Sequence, residues 1–155
     1  MSIRFANEND IPQMLDLLLQ VGAVHHDIRP DLFRDGAQKY DDEALKVLLK
    51  DSTRPIFCYE QNGKMVGYCF CILEITENNP VLCNQKTLYI DDLCVDSNVR
   101  GAGVAKALYE AVVDYAREIG CTSITLNVWN GNDRAMRFYE KCGLKPRKVY
   151  METML

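Results

Sequence analysis

Apolar positions along the chain switch between two spacings, and the switches mark out its elements. Ile11, Met14, Leu15, Leu18 and Leu19 recur three and four apart, which predicts an amphipathic helix. Asn9 or Asp10 can cap it, and Pro12 suits its first turn. The pattern fades near Gly22, and Val24 to Pro30 reads as a loop. Asp41 or Asp42 opens a second helix through Lys50, with Leu45, Leu48 and Leu49 inward. The longest helix runs from about Gly103 to Ile119. Val104, Leu108, Ala111, Val112, Tyr115 and Ile119 line one side; Lys106, Glu110, Asp114 and Glu118 line the other. Gly120 is a natural stop. A turn over Asn130 to Asp133 caps a final helix from Arg134 to about Cys142, ended by Gly143.

Between these helices lie β-rich runs. They are Ile3 to Phe5, Arg54 to Glu60, Met65 to Ile75, Thr87 to Val95, Thr122 to Trp129 and Lys148 to Met154. Asn62-Gly63 between the second and third is a strong hairpin signal. Thr76 to Lys86, with Asn78-Asn79-Pro80, reads as a loop. The order β-α-α-β-β-β-α-β-α-β predicts an α+β fold, a mixed and mostly antiparallel sheet flanked by helices. At 155 residues, without repeat or linker, one domain over 1–155 is expected.

Composition narrows the function classes. Residues are 48% hydrophobic and 26% charged, as in ordinary globular proteins. No apolar run approaches the ~20 residues of a membrane span, and the first eight residues are too polar for a secretory signal. The expected location is cytoplasmic. A net charge of −4 argues against sequence-independent nucleic-acid binding and suits a cationic substrate. The seven cysteines include no C-x-x-C pair and there are only two histidines, His25 and His26. That argues against zinc and against a disulfide scaffold, and for reduced thiols packed as small core residues.

The chemistry concentrates between Val95 and Leu108. A strand ends, a polar loop follows, and Arg100-Gly101-Ala102-Gly103-Val104-Ala105 leads into the longest helix. The first amides of a helix lack intrahelical partners and sit at the positive end of its dipole. Glycines allow close approach and Arg100 adds charge, so the turn reads as an anion site. Lys106 stands where a dinucleotide fingerprint needs its third glycine, and no G-K-[ST] is present. The motif R-x-x-G-x-A resembles the pyrophosphate loop of the GCN5-related N-acetyltransferases, which bind acetyl-coenzyme A. A second motif, N-x-x-A-x-x-F-Y-E-K-x-G over Asn132 to Gly143, followed by Leu144, is similar to another signature of that family.

The resemblance implies an acetyl-CoA-dependent N-acetyltransferase that moves an acetyl group to a primary amine by direct attack on the thioester, without a metal. It implies that Gly101, Ala102, Gly103, Val104, Ala105 and Lys106 hold the pyrophosphate. It implies that Leu93, Cys94 and Val95 lie along the pantetheine arm, with an amide near Leu93 to Cys94 polarising the thioester carbonyl. Asn132 matches a residue touching the coenzyme arm, and Tyr139 the general acid beside the coenzyme sulfur. Seven residues apart, both can present on one helix face.

A base is needed because an alkyl amine, with pKa near ~10, arrives protonated. Asp91 and Asp92 sit in an apolar strand, where charge is costly unless paired or wetted by a cleft. Strict alternation puts Asp91 with Leu93 and Val95, and Asp92 with Ile90 and Cys94; a bulge would alter that facing. Y-I-D-D-L-C-V resembles polyamine-type acetyltransferases, where the first of these acidic positions is implicated. Either acid, or water, could serve. His25 and His26 read as solvated loop residues and Trp129 as core. The acceptor is open among small amines, polyamines, amino acids, aminoglycosides and protein amines. Dimers are frequent in the family, so the resemblance admits a homodimer. The alternative is a non-catalytic acyl-CoA-binding module, which could dispense with Tyr139 and the strand acids.

Overall fold

The computed structural model describes residues 2–99 and 101–155. Five strands form one sheet in sequence order: β1 (Ser2–Phe5), β2 (Ile56–Gln61), β3 (Lys64–Thr76), β4 (Gln85–Val95) and β5 (Ser123–Leu126). The first three pairings are antiparallel and β4–β5 is parallel. Helix α1 spans Ile11–Ile28, α2 Asp42–Leu48, α3 Val104–Glu118 and α4 Asp133–Lys141. The β2–β3 turn places Asn62 and Gly63 at φ 52° and 74°, the conformation that an Asn-Gly hairpin favours. The parallel step from β4 to β5 requires a crossover, and α3 supplies it.

The sheet has a core on each face. Met14, Leu17 and Leu18 of α1 and Leu45 of α2 pack on Ile56, Cys58, Tyr68, Phe70 and Cys94. Val104, Leu108, Val112 and Ala116 of α3 pack on Phe57, Tyr59, Cys69, Cys71, Leu88, Ile90 and Val95. Successive strand residues alternate between the two layers. Four cysteines, Cys58, Cys69, Cys71 and Cys94, are buried in them outside any disulfide.

Several expectations fail. The first helix does not fade at Gly22 but runs to Ile28, so Val24 to Ile28, both histidines included, are helical. Gly22 is a close-approach position: a Cβ there would lie 2.5 Å from the Ala37 carbonyl oxygen of the crossing segment. The strand expected over Lys148 to Met154 is absent; 145–155 forms no regular element and is exposed throughout. Trp129 is not core; it lies past the end of β5 and is 37% exposed.

Candidate active site

Helix α3 begins where the anion turn was expected. Gly101 and Gly103 adopt φ 87° and 79°, in the left-handed region that favours glycine. A Cβ at either would meet nothing within 4 Å, so the turn has open space on that side. Gly103 is the N-cap and offers no side chain to the first amides of a 15-residue helix. Those of Val104, Ala105 and Lys106 are the groups a helix leaves without an intrahelical partner. Open space beside uncapped amides fits a phosphate. Arg100 lies outside the described residues.

Beneath this turn β4 and β5 part. Their register runs from Thr87↔Ser123 to Ile90↔Leu126, while β4 continues to Val95. Leu93, Cys94 and Val95 therefore lie beyond the pairing with β5, at the approach to the turn. Cys94 donates its thiol to the Leu17 carbonyl oxygen at 3.5 Å, and Val95 packs in the α3-side core.

The two strand acids sit where that parting begins. Phe70 pairs with Asp92 and Cys71 with Ile90, which leaves Asp91 as an extra residue in a bulge. The bulge changes the alternation. Leu88, Ile90 and Val95 face α3, whereas Cys94 faces α1. Strict alternation had grouped Asp92 with both Ile90 and Cys94; only Cys94 shares its side. Asp92 accepts from the Tyr68 hydroxyl at 2.6 Å, and Tyr68 belongs to the α1-side core. Asp91 accepts from Lys39 Nζ at 2.7 Å and from the Tyr40 hydroxyl at 3.4 Å, and Tyr40 packs on that same core. Both carboxylates thus present to the α1–α2 side.

Their environments differ. Burial raises the Asp92 pKa to about 6, helped by the charge of Asp91 and opposed by the Tyr68 hydrogen bond and Lys39. Asp91 is instead held in an ion pair whose lysine side chain is 52% exposed. Tyr40 stacks on Phe70 with ring centroids 5.8 Å apart, forming a wall beside the pair. Lys39 and Tyr40 were not singled out from sequence, because nothing in a motif-free loop signals which residue folds back onto a strand.

Tyr139 lies on α4, half-buried and edge-on to Phe138 and Tyr109. Burial holds its pKa above that of a free phenol, and Cys69 and Asp92 push the same way. It therefore stays protonated at neutral pH. Among the described residues its hydroxyl makes no hydrogen bond. Asn132 is the N-cap of α4: its Oδ1 accepts from the Ala135 amide at 3.2 Å, which leaves the side-chain NH2 for other use.

The end of α1 and the segment after it close the far side. His26 Nδ1 lies 2.7 Å from the Phe33 carbonyl oxygen. His25 packs at a tilt against Phe33, centroids 5.0 Å apart, and Phe33 meets Trp129 edge-on at 5.1 Å. Burial lowers the His25 pKa, and Lys39 adds to that. Neither histidine is a solvated loop residue.

Comparison with known proteins agrees with this geometry. The acetyltransferase (GNAT) family model matches residues 22–144. An uncharacterised N-acetyltransferase of Methanocaldococcus jannaschii is 30% identical over 105 residues, covering 68% of this chain and 45% of that one. Glucosamine 6-phosphate N-acetyltransferase of Trypanosoma brucei brucei is 27% identical over 100 residues, covering 64% of each. The chain thus spans about half to two thirds of the length of these curated relatives. The crystal structure of a mutant of the BH1408 protein from Bacillus halodurans superposes with TM-score 0.95 at 30% identity, covering 100% of this chain and 99% of that one. With a family model matched over most of its length and a parted β4–β5 pair below a glycine turn, this chain belongs to the GNAT acetyltransferase family.

Proposed function

We propose that this protein is an acetyl-CoA-dependent N-acetyltransferase acting on a primary amine, working as one catalytic domain over 1–155 in the cytoplasm. No helix among the described residues is long and apolar enough to cross a membrane. The observation that carries the reading is the juxtaposition at the end of β4: an uncapped helix start, a strand that outruns its parallel partner, and two carboxylates at the point of parting.

When bound, acetyl-CoA supplies the thioester whose carbonyl carbon the amine attacks. The amides of Gly101 to Lys106 hold pyrophosphate at the positive end of α3. The backbone of Leu93, Cys94 and Val95 lies along the pantetheine arm, and an amide near Leu93 to Cys94 polarises the carbonyl. Asn132 steadies the arm from the start of α4. Asp92, with its raised pKa, takes the ammonium proton directly or through water, and Asp91 holds the amine in place of Lys39. The nitrogen–carbon bond forms, the carbon–sulfur bond breaks, the Tyr139 hydroxyl protonates the departing sulfur, and the second proton, shed by the nitrogen after attack, restores that hydroxyl through solvent. The reading includes a homodimer, which the exposed apolar residues of 145–155 support.

Release of free thiol from acetyl-CoA, measured across a panel of polyamines, aminoglycosides, amino acids and peptide amines, tests it. Amine-dependent release with at least one class is expected. Tight coenzyme binding without turnover on any amine would favour a binding module instead.

A further inference from the structure

The segment 37–40 is fixed against the body at three points, and Lys39 stands among them. Ala37 crosses Gly22 so closely that a Cβ there would lie 2.5 Å from its carbonyl oxygen. Gln38 Nε2 donates to the Leu15 carbonyl oxygen of α1 at 2.9 Å. Tyr40 packs on the α1-side core and stacks on Phe70 at an interplanar angle of 6°. Between these anchors the Lys39 side chain crosses to β4, 52 positions on in sequence, and donates Nζ to Asp91 at 2.7 Å.

This pair is unlike the other lysine–carboxylate pairs among the described residues. Lys46 pairs with Asp42 and Glu43, and Lys106 with Glu110, each within its own helix and well exposed. Pairs of that kind lie on a solvated face and contribute little. Asp91 is only 14% exposed, and it is the extra residue of the β4 bulge. The Lys39 ammonium also lies 5.6 Å from the centre of the Tyr40 ring, within reach of a cation–π contact. A carboxylate and an aromatic face are the groups that hold an alkylammonium. On the function proposed above, this is where the acceptor amine binds. Lys39 is itself a primary alkyl amine, and its Nζ is already in that place.

We propose that Lys39 is a substrate of its own chain: given acetyl-CoA and no competing amine, its Nζ is acetylated in cis. The inference rests on the acetyltransferase reading. The Nζ ammonium gives one proton to Asp92, directly or through water, and the neutral nitrogen attacks the thioester carbonyl carbon. The nitrogen–carbon bond forms and the carbon–sulfur bond breaks, its electron pair leaving on sulfur. The Tyr139 hydroxyl protonates that sulfur, and the second proton shed by the nitrogen restores the hydroxyl through solvent. The products are acetyl-lysine and coenzyme A. An amine held by its own chain makes the step effectively unimolecular. Desolvation favours loss of the Lys39 proton, but the hydrogen bond and charge of Asp91 outweigh it and raise the pKa. The step is therefore slow beside turnover of a bound acceptor. An acetylated Nζ carries no charge, so the modification dissolves the ion pair and leaves Asp91 to the acceptor alone.

The test incubates the full chain with acetyl-CoA alone and follows each lysine by mass spectrometry. Trypsin does not cut after acetyl-lysine, so the product is the peptide Asp35–Lys46, uncut at Lys39. Modification at Lys39 should be at least about tenfold faster than at Lys64 or Lys148, which are exposed lysines of the same chain. Its rate per chain should not change on dilution. Excess free coenzyme A should suppress it while leaving Lys64 and Lys148 at their spontaneous rate, and in urea the preference for Lys39 should vanish. A Lys39 rate no higher than those two, a rate that falls with dilution, or one that free coenzyme A leaves unchanged would each overturn the proposal. The amine panel keeps the two readings apart. Amine-dependent thiol release with Lys39 at the spontaneous rate removes this inference alone. No release with any amine and no acetyl-Lys39 removes both.

Discussion

Asp92 and Tyr139 hold opposite ends of the proposed proton path, and the same burial tunes both. For Asp92 the folded-state pKa, about 6, lies above the ordinary carboxylate value of 3.8. Ionising it therefore costs the fold: its favourable contribution is present below pH 4 and is lost as pH rises through about 6. Asp92→Asn keeps an acceptor for the Tyr68 hydroxyl and removes the charge. The variant should be more stable than the parent at pH 7–8, by at most roughly 3 kcal/mol, with the gain vanishing below pH 4. Its kcat/KM should lose the rise near pH 6 that a base of this pKa gives the parent. A variant less stable at pH 8 with an unchanged pH profile would make Asp92 a structural group. For Tyr139 burial shifts the pKa in the same direction, and the consequence is a donor instead of an acceptor. A pKa held above that of a free phenol keeps a proton available, and Tyr139→Phe removes only that proton while leaving the ring contacts with Phe138 and Tyr109. Single-turnover acyl transfer should fall about 10²-fold, the low end for general acid catalysis, because a thiolate is a fairly good leaving group. Acetyl-CoA affinity should hardly change. Transfer at the parent rate would leave the proton to solvent.

Elements were legible wherever a local pattern carried them. The Asn62-Gly63 hairpin, helix α3 with its glycine start and the parallel return to β5 all follow from short-range spacing. Three features do not, because a partner distant in sequence decides each. The end of α1 was misread at Gly22, whose lack of a side chain serves the passage of Ala37 and not the helix. The Asp91 bulge arises from pairing with Phe70 and Cys71, which no pattern in β4 alone reveals. Lys39 reaches Asp91 from a loop without a motif. Gly67 shows how the elements that were legible position the site. A Cβ there would lie 3.0 Å from Val104 Cγ1 and 3.1 Å from Leu108 Cδ1, so α3 rests its first turns directly on β3. Gly67→Val should push α3 off the sheet, costing about 1–3 kcal/mol by overpacking. Because Val104 is the first residue of the helix, the same change should weaken acetyl-CoA binding measurably, by calorimetry, without touching either carboxylate. Lost stability with intact affinity would show the helix start to be held by something other than its seat on Gly67.

For the whole molecule, charge and binding pull in different directions. The chain is acidic, at −4, yet the proposed coenzyme is a polyanion. Its affinity must then come from fixed local donors, the helix amides and the glycine turn, and not from the protein's overall field. Binding of this kind stabilises the native state by mass action: at a ligand concentration one hundred times Kd the gain is about 2.7 kcal/mol. For a chain of this size that raises Tm by roughly 5–11 °C, taking 2–4 °C per kcal/mol. ATP and NADH carry phosphates but no pantetheine arm to lie along β4, so they should produce much smaller shifts. Protein concentration has to be held constant across the series, because the Tm of a homodimer rises with concentration. The prediction is a shift of that size with acetyl-CoA, partly retained with free coenzyme A, which shares the pyrophosphate and the arm. No shift at millimolar acetyl-CoA would remove the uncapped start of α3 as a phosphate site, and the acyl-transfer reading with it.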